Sequence, residues 1–211
     1  MGIKERRERE KAEIREKILE AARDLFVSEG YEAVSMRKIA DRIEYSPTAI
    51  YLHFKDKEAV MRELCDVDFL ALAHELTEIA GIADPLERLH ATGTAYARFA
   101  LEHPNHYRLM FMTPHPPLGE EERLIRKGNP EEDAYAFLKG IIAEGVAAGR
   151  FRPGLDDSEL LAQVMWAGVH GVVSLQIAKC NDDWVDWRPE EARIGLMVET
   201  LIRGLVREEE D

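Results

Sequence analysis

Two short runs decide how this chain folds: Ser35-Met36-Arg37-Lys38-Ile39-Ala40-Asp41-Arg42-Ile43 and, after a break at Glu44-Tyr45, Ser46-Pro47-Thr48-Ala49-Ile50-Tyr51-Leu52-His53-Phe54. Ser35 and Ser46 are helix N-caps by type, and Pro47 stands at the first helical position, where its missing N–H costs nothing. Met36, Ile39, Ala40 and Ile43 recur at spacings of three and four, so one face of the first short helix turns inward. Ile50 does the same for the second. Two short helices joined by a tight turn are the parts of a helix-turn-helix, whose second helix must be thin-walled enough to enter the ~12 Å major groove. Thr48, Ala49, Leu52 and His53 then project outward.

Upstream, Ile14, Ile18, Ala21, Ala22, Leu25 and Phe26 form the apolar face of a first helix, with Gly30 expected as its left-handed cap. Downstream, Asp56 is placed to cap a fourth helix from Lys57 to about Ala80. Asp84-Pro85-Leu86-Glu87 reads as a capping box opening a helix that stops before Pro104. A short segment, 105–112, precedes a Pro- and Gly-rich stretch, 113–130, read as loop. Further helices are expected over 131–148, from Asp156-Asp157 to about Lys179, and from Pro189 to Val206. No period-2 strand, repeat or low-complexity tract interrupts the pattern. The fold class expected is all-α, about nine helices, divided into a helix-turn-helix head over 1–56 and a larger helical domain over 57–211.

The 211 residues carry a net charge of −13, which at first argues against a polyanionic partner. The charge is unevenly spread: residues 1–60 hold 13 Lys+Arg and 13 Asp+Glu, so all the excess acid lies beyond them. Ser35 to Lys57 carries a local surplus of two basic residues. An acidic body behind a neutral to basic head orients the head toward phosphates. Ser35, Arg37, Lys38, Ser46, Tyr51, His53, Lys55 and Lys57 are donors suited to the DNA backbone, although Tyr51 also has the size to cover the helix bundle. No stretch approaches the ~20 consecutive apolar residues of a membrane span, and the charged start lacks a signal-peptide pattern. The expected setting is cytoplasmic, without a membrane partner.

Chemistry other than binding finds little support. There is no glycine-rich phosphate loop, zinc motif or serine-hydrolase elbow, so an all-helical enzyme and a dimeric scaffold that has lost DNA binding stand as the rivals. His103 and His106 are separated by Pro104, and no Cys or carboxylate completes a ligand set; no metal or cofactor is expected. Cys65 and Cys180 both lie in apolar-patterned segments and are expected to be packed. Glu131-Glu132 and Asp156-Asp157 suit helix starts, where acids complement the dipole.

The head resembles the tetracycline-repressor (TetR) family of bacterial regulators. The likeness rests on Ile18-Leu19-Glu20-Ala21-Ala22-Arg23-Asp24-Leu25-Phe26, Gly30-Tyr31, Ser35 through Ala40, and Ile50-Tyr51-Leu52-His53-Phe54-Lys55-Asp56-Lys57-Glu58, in order and in register over about 14–64. It implies that Arg37, Thr48 and Ala49 lie near base edges, while Ser35, Tyr51, His53 and Lys57 touch the DNA backbone. Two departures stand out: Glu44 occupies the usual turn glycine, and Thr48 follows the proline. Either a glutamate there holds a positive φ, at a cost of about 1 kcal/mol, or the turn differs from the family's.

Beyond the head, Trp166-Ala167-Gly168-Val169-His170-Gly171 and His103 through Phe111 resemble the Trp-His-Gly subgroup of regulator C-terminal domains, loosely over 85–205. That likeness implies a ligand-binding homodimer. Phe69, Tyr96, Phe99, Tyr107, Met110, Phe111, Met165, Trp166 and His170 have the mostly apolar character of an effector pocket, though aromatic and methionine positions at this spacing also make ordinary core. His170 suits a buried hydrogen bond tying helices together better than a ligand contact. Gly168 and Gly171 suggest close helix approach. With Leu175, Ile194, Met197, Val198, Leu201, Ile202 and Leu205 they form the expected dimer interface. The partners expected are double-stranded operator DNA, an inverted repeat by two-fold symmetry, a small-molecule effector, and a second copy of the chain.

Overall fold

The computed structural model describes residues 2–117 and 123–207, and within them there are nine helices and no strand beyond one isolated bridge between Phe151 and Val206. The helices are α1 (Ile3–Glu29), α2 (Met36–Arg42), α3 (Pro47–Tyr51), α4 (Lys57–Thr77), α5 (Pro85–Glu102), α6 (Pro104–Phe111), α7 (Ala134–Ala147), α8 (Ser158–Lys179) and α9 (Glu190–Leu205). Contacts group them into two compact units. The first takes the described residues within 1–68 and 105–124; the second takes those within 69–104 and 125–211.

The first unit is built on α1. Ile18, Ala22 and Phe26 of α1 are buried together with Tyr31, Val34, Ile39, Ala40, Ile50 and Phe54, and α2 packs on both α1 and α3. The caps read from sequence are made: Ser35 Oγ accepts the Lys38 N–H, Ser46 Oγ accepts the Ala49 N–H, and Asp56 Oδ1 accepts the Ala59 N–H. Gly30 does adopt a positive φ of 84°, but its ψ of 153° is extended rather than left-handed helical. It ends α1 by donating its N–H to Phe26 O while sending the chain straight on to Tyr31.

Buried acids hold this unit together from inside. Asp68 of α4 is fully buried; it accepts from the Arg23 guanidinium of α1 at 2.7 Å and meets His106 Nδ1 of α6 at 2.9 Å. Asp66, equally buried, pairs with Arg123 at 2.7 Å and accepts the Leu124 N–H at 2.8 Å. The last turns of α4 end at Thr77, a turn earlier than the apolar pattern indicates.

The second unit is a bundle in which α5 touches α7, α8 and α9, and α8 packs on α7 and α9. Its core holds Leu76, Leu89, Phe137, Ile141, Ile142, Phe151, Leu161, Met165 and Leu205. Phe151 lies over Gly145 of α7, where a Cβ would come within 2.7 Å of the ring. α7 starts three residues later than the sequence pattern: Asp133 caps it through the Tyr135 and Ala136 N–H groups, and Glu132 is turned aside to Arg126. Asp157 caps α8 in the expected way.

Cys65 is buried, and desolvation pushes its thiol up to about 12, so it is inert packing. Cys180 departs from expectation: it stands exposed at the end of α8. The apolar run ends there, and Asn181-Asp182-Asp183 leads the chain into solvent.

Candidate nucleic-acid interface

The helix-turn-helix owes its form to a few fixed points. α3 is only five residues long and has a single buried residue, Ile50, with no exposed surface at all. The chain leaving it is held by His53 N–H and Phe54 N–H, both donating to Ile50 O at 2.9 and 3.0 Å. Phe54 is buried immediately afterward. Arg15 of α1 secures this exit: its guanidinium lies 4.1 Å over the Phe54 ring, donates to His53 O at 2.7 Å, and pairs with Glu63 of α4. The sequence reading overlooked Arg15, because charged residues on both of its sides make it look like solvated surface.

Glu44 is the one described non-glycine residue with a positive φ, at 60°. The turn therefore keeps the geometry a glycine would give and forces the glutamate into it, with the carboxylate exposed on the turn. Tyr45 N–H donates to Ala40 O, which closes the turn onto α2.

The predicted DNA contacts fall into three groups. Ser35, Arg37, Ser46, Thr48, Tyr51 and Lys55 are exposed, and Ala49 is half-exposed on the same short helix. Both serine hydroxyls accept a cap hydrogen bond on oxygen and so keep their own O–H to donate. Arg37 keeps only a loose approach, 3.9 Å, to Asp41 one turn on. Lys57 is different. Its ammonium donates to Tyr31 O at 2.7 Å and lies 4.0 Å over the Tyr31 ring, clasping α4 to the α1–α2 connection. His53 is half-buried. Burial, followed by the charges of Lys11 and Arg15, lowers its pKa, which favours the neutral imidazole.

The predicted effector residues are divided between the units. In the second, Tyr96, Phe99 and Met165 are buried and Phe69 is half-buried. Trp166 Nε1–H donates to Tyr96 Oη at 3.0 Å, and Tyr96 Oη lies 3.4 Å from His170 Nδ1. His170 is held toward its neutral form, since desolvation lowers its pKa. In the first unit, Tyr107 and Met110 are buried, and the Tyr107 and Phe111 rings lie 4.9 Å apart.

Of the predicted dimer residues, Ile194, Val198 and Leu205 are buried against their own chain. Gly168 admits α9 closely: a Cβ there would stand 2.7 Å from Leu201 Cδ1, whereas Gly171 has open space. Met197, Leu201 and Ile202 are half-buried and Leu175 is exposed. Leu160, Val164, Ala167, Leu175 and Ala178 are all exposed, with Gly171 half-exposed among them. They mark one uninterrupted apolar stripe along α8 at spacings of three and four. Among the described helices, only α8 is long and apolar enough to cross a membrane by length and composition, and 28% of its apolar window is buried. Among the described residues no group of three or more His, Cys, Asp or Glu is placed to hold a metal ion.

Comparison with known proteins fits this geometry. A family model described as bacterial regulatory proteins, tetR family, matches residues 18–64, and one described as tetracyclin repressor-like, C-terminal domain, matches residues 89–208. The C-terminal match is to that broad class. The HTH-type transcriptional repressor KstR2 of Mycolicibacterium smegmatis is 32% identical over 67% of this chain and 69% of its own length. The uncharacterized HTH-type transcriptional regulator YhgD of Bacillus subtilis is 29% identical over 89% of this chain and 94% of its own. Among solved structures, the TetR family transcriptional regulator PfmR of Thermus thermophilus aligns with a TM-score of 0.68 at 27% identity, covering 90% of this chain and 96% of that one.

Proposed function

The chain belongs to the tetR family of bacterial regulatory proteins, and on that premise we propose that it is a homodimeric repressor, released from an inverted-repeat operator by a small, mostly apolar effector. The observation that carries the reading is α3: a five-residue helix anchored by Ile50 alone, with Thr48, Tyr51 and Leu52 exposed and Ser35, Arg37, Ser46 and Lys55 exposed beside it in sequence. Phosphate donors set position and base-edge contacts set sequence. Residues 1–56 read DNA and residues 57–211 bind effector and partner. The protein acts in the cytoplasm and by binding, not catalysis.

The dimer reading draws on the exposed apolar stripe of α8. A helix face of this length is unfavourable in water, and a two-fold partner presenting the same face would cover it. Gly171 and Leu175 lie on that stripe, with Met197, Leu201 and Ile202 of α9 as its proposed flank. We assign the effector site to the residues around the Trp166–Tyr96–His170 chain, whose few polar groups stand on the same two helices, α5 and α8, as buried Phe99 and Met165, the mostly apolar mix that suits a small-molecule site. An effector that favours a state with poor operator affinity must bind less well to DNA-bound protein by the same factor.

Mobility shifts on the DNA upstream of the protein's own coding region test this. The wild-type chain should form a discrete complex that weakens steeply with salt. Arg37→Glu combined with Lys55→Glu should abolish it while leaving the circular dichroism melt unchanged. A complex that survives both substitutions would exclude α3 and its surroundings as the reader.

A further inference from the structure

We propose that Leu52 is a specificity-determining residue that reads the C5-methyl group of a thymine in each operator half-site; this rests on the DNA-reading role given to α3 above. Single exposed leucines are common and say nothing by themselves. Leu52 differs in where it stands and how firmly. It is 75% exposed, yet its backbone is fully determined: it keeps helical angles (φ −72°, ψ −18°) as the C-cap of α3, donates its N–H to Ala49 O, and lies between Ile50 and Phe54, both buried. The side chain is therefore held outward by anchors two residues away on either side.

Its neighbours on the helix define the face it occupies. At about 100° per residue, Thr48 and Leu52 lie about 40° apart, Tyr51 lies on the far side of Thr48, and Ile50 points the opposite way. The face opposite the core thus carries one bulky apolar group among hydroxyls. Ser35, Arg37, Ser46 and Lys55, also exposed, supply donors for phosphates and base edges, and Leu52 can supply none. In the major groove only thymine presents an apolar group, its methyl, so a leucine at this position has one matching feature to recognise.

The test begins by selecting bound sequences from a random duplex pool with the full-length chain. Each thymine of the selected site is then replaced by deoxyuridine, which removes the methyl and nothing else. Wild-type protein should lose about fourfold in affinity per half-site at one thymine, the worth of one buried methyl. Leu52→Ala should bind the parent site about as weakly as wild type binds the uridine site and show no further loss at that thymine. Leu52→Met should retain the sensitivity. Thermal melts of both variants should match wild type, since most of the side chain stands in solvent. Equal methyl sensitivity in wild type and Leu52→Ala, or no sensitive thymine at all, would overturn the inference while leaving DNA reading intact. Failure to enrich any sequence would overturn the DNA-reading role and this inference with it.

Discussion

Glu44 carries the clearest local conflict in the chain. An L-residue at φ 60° crowds its own Cβ against the backbone, and a glycine in the same place does not. Glu44→Gly is expected to raise stability by about 1 kcal/mol, read as a higher midpoint in urea. Because the exposed carboxylate is lost as well, operator affinity should rise and never fall. His170 gives a second residue-scale expectation. Its pKa is lowered in the folded chain by desolvation relative to ~6.5 when unfolded, so the unfolded state binds the proton first. Stability is therefore full above about pH 6.5, declines as pH falls through that value, and levels off once the folded imidazole also protonates. The fall in melting temperature between pH 7.5 and 5.5 should be smaller in His170→Gln than in wild type.

At the scale of elements, α7 contains its own controlled comparison. Gly140 has nothing within 4 Å of a would-be Cβ, while the same atom at Gly145 would meet the Phe151 ring at 2.7 Å. Gly140→Ala should stabilise by about 1 kcal/mol through helix propensity. Gly145→Ala should destabilise by about 1–3 kcal/mol through overpacking; denaturant titration of the two variants should move in opposite directions. The sequence shows two glycines in one helix and cannot tell them apart, because the ring that distinguishes them lies beyond the helix. The same limit explains α7's start. Two adjacent glutamates look like a first turn, but Asp133 makes both cap bonds and Arg126 draws Glu132 away. Ser46-Pro47, Ser35 and Asp56 were legible because a cap is a local contract between residues three apart. Asp66 and Asp68 were not. Their partners Arg23, His106 and Arg123 are 38 or more residues away in the chain, and a charge in an apolar run gives no sign of which distant charge will meet it.

For the whole molecule, the exposed apolar stripe along α8 is where the proposed self-association can be tested. Leu175 is half exposed, and Leu175→Glu should weaken self-association by about 1.5–3 kcal/mol for each leucine withdrawn, seen as a shift toward monomer in sedimentation at micromolar protein. DNA affinity should fall with it at dilute protein and recover as concentration is raised. A variant that stays dimeric would place the partner elsewhere. The bulk charge of −13 was the least informative property of the sequence, since it averages a balanced head with an acidic remainder.

The buried carboxylate of Asp68 has a consequence for how such a head can be exchanged. Arg23 belongs to the first helix, yet its counter-charge arrives from residue 68 and is shared with His106. Cutting the chain after residue 56 would leave that guanidinium sunk in a greasy wall with no anion. A chimera grafting this head onto another regulator's body would need to carry Asp68 and the turn bearing His106 along with it, or supply their equivalents.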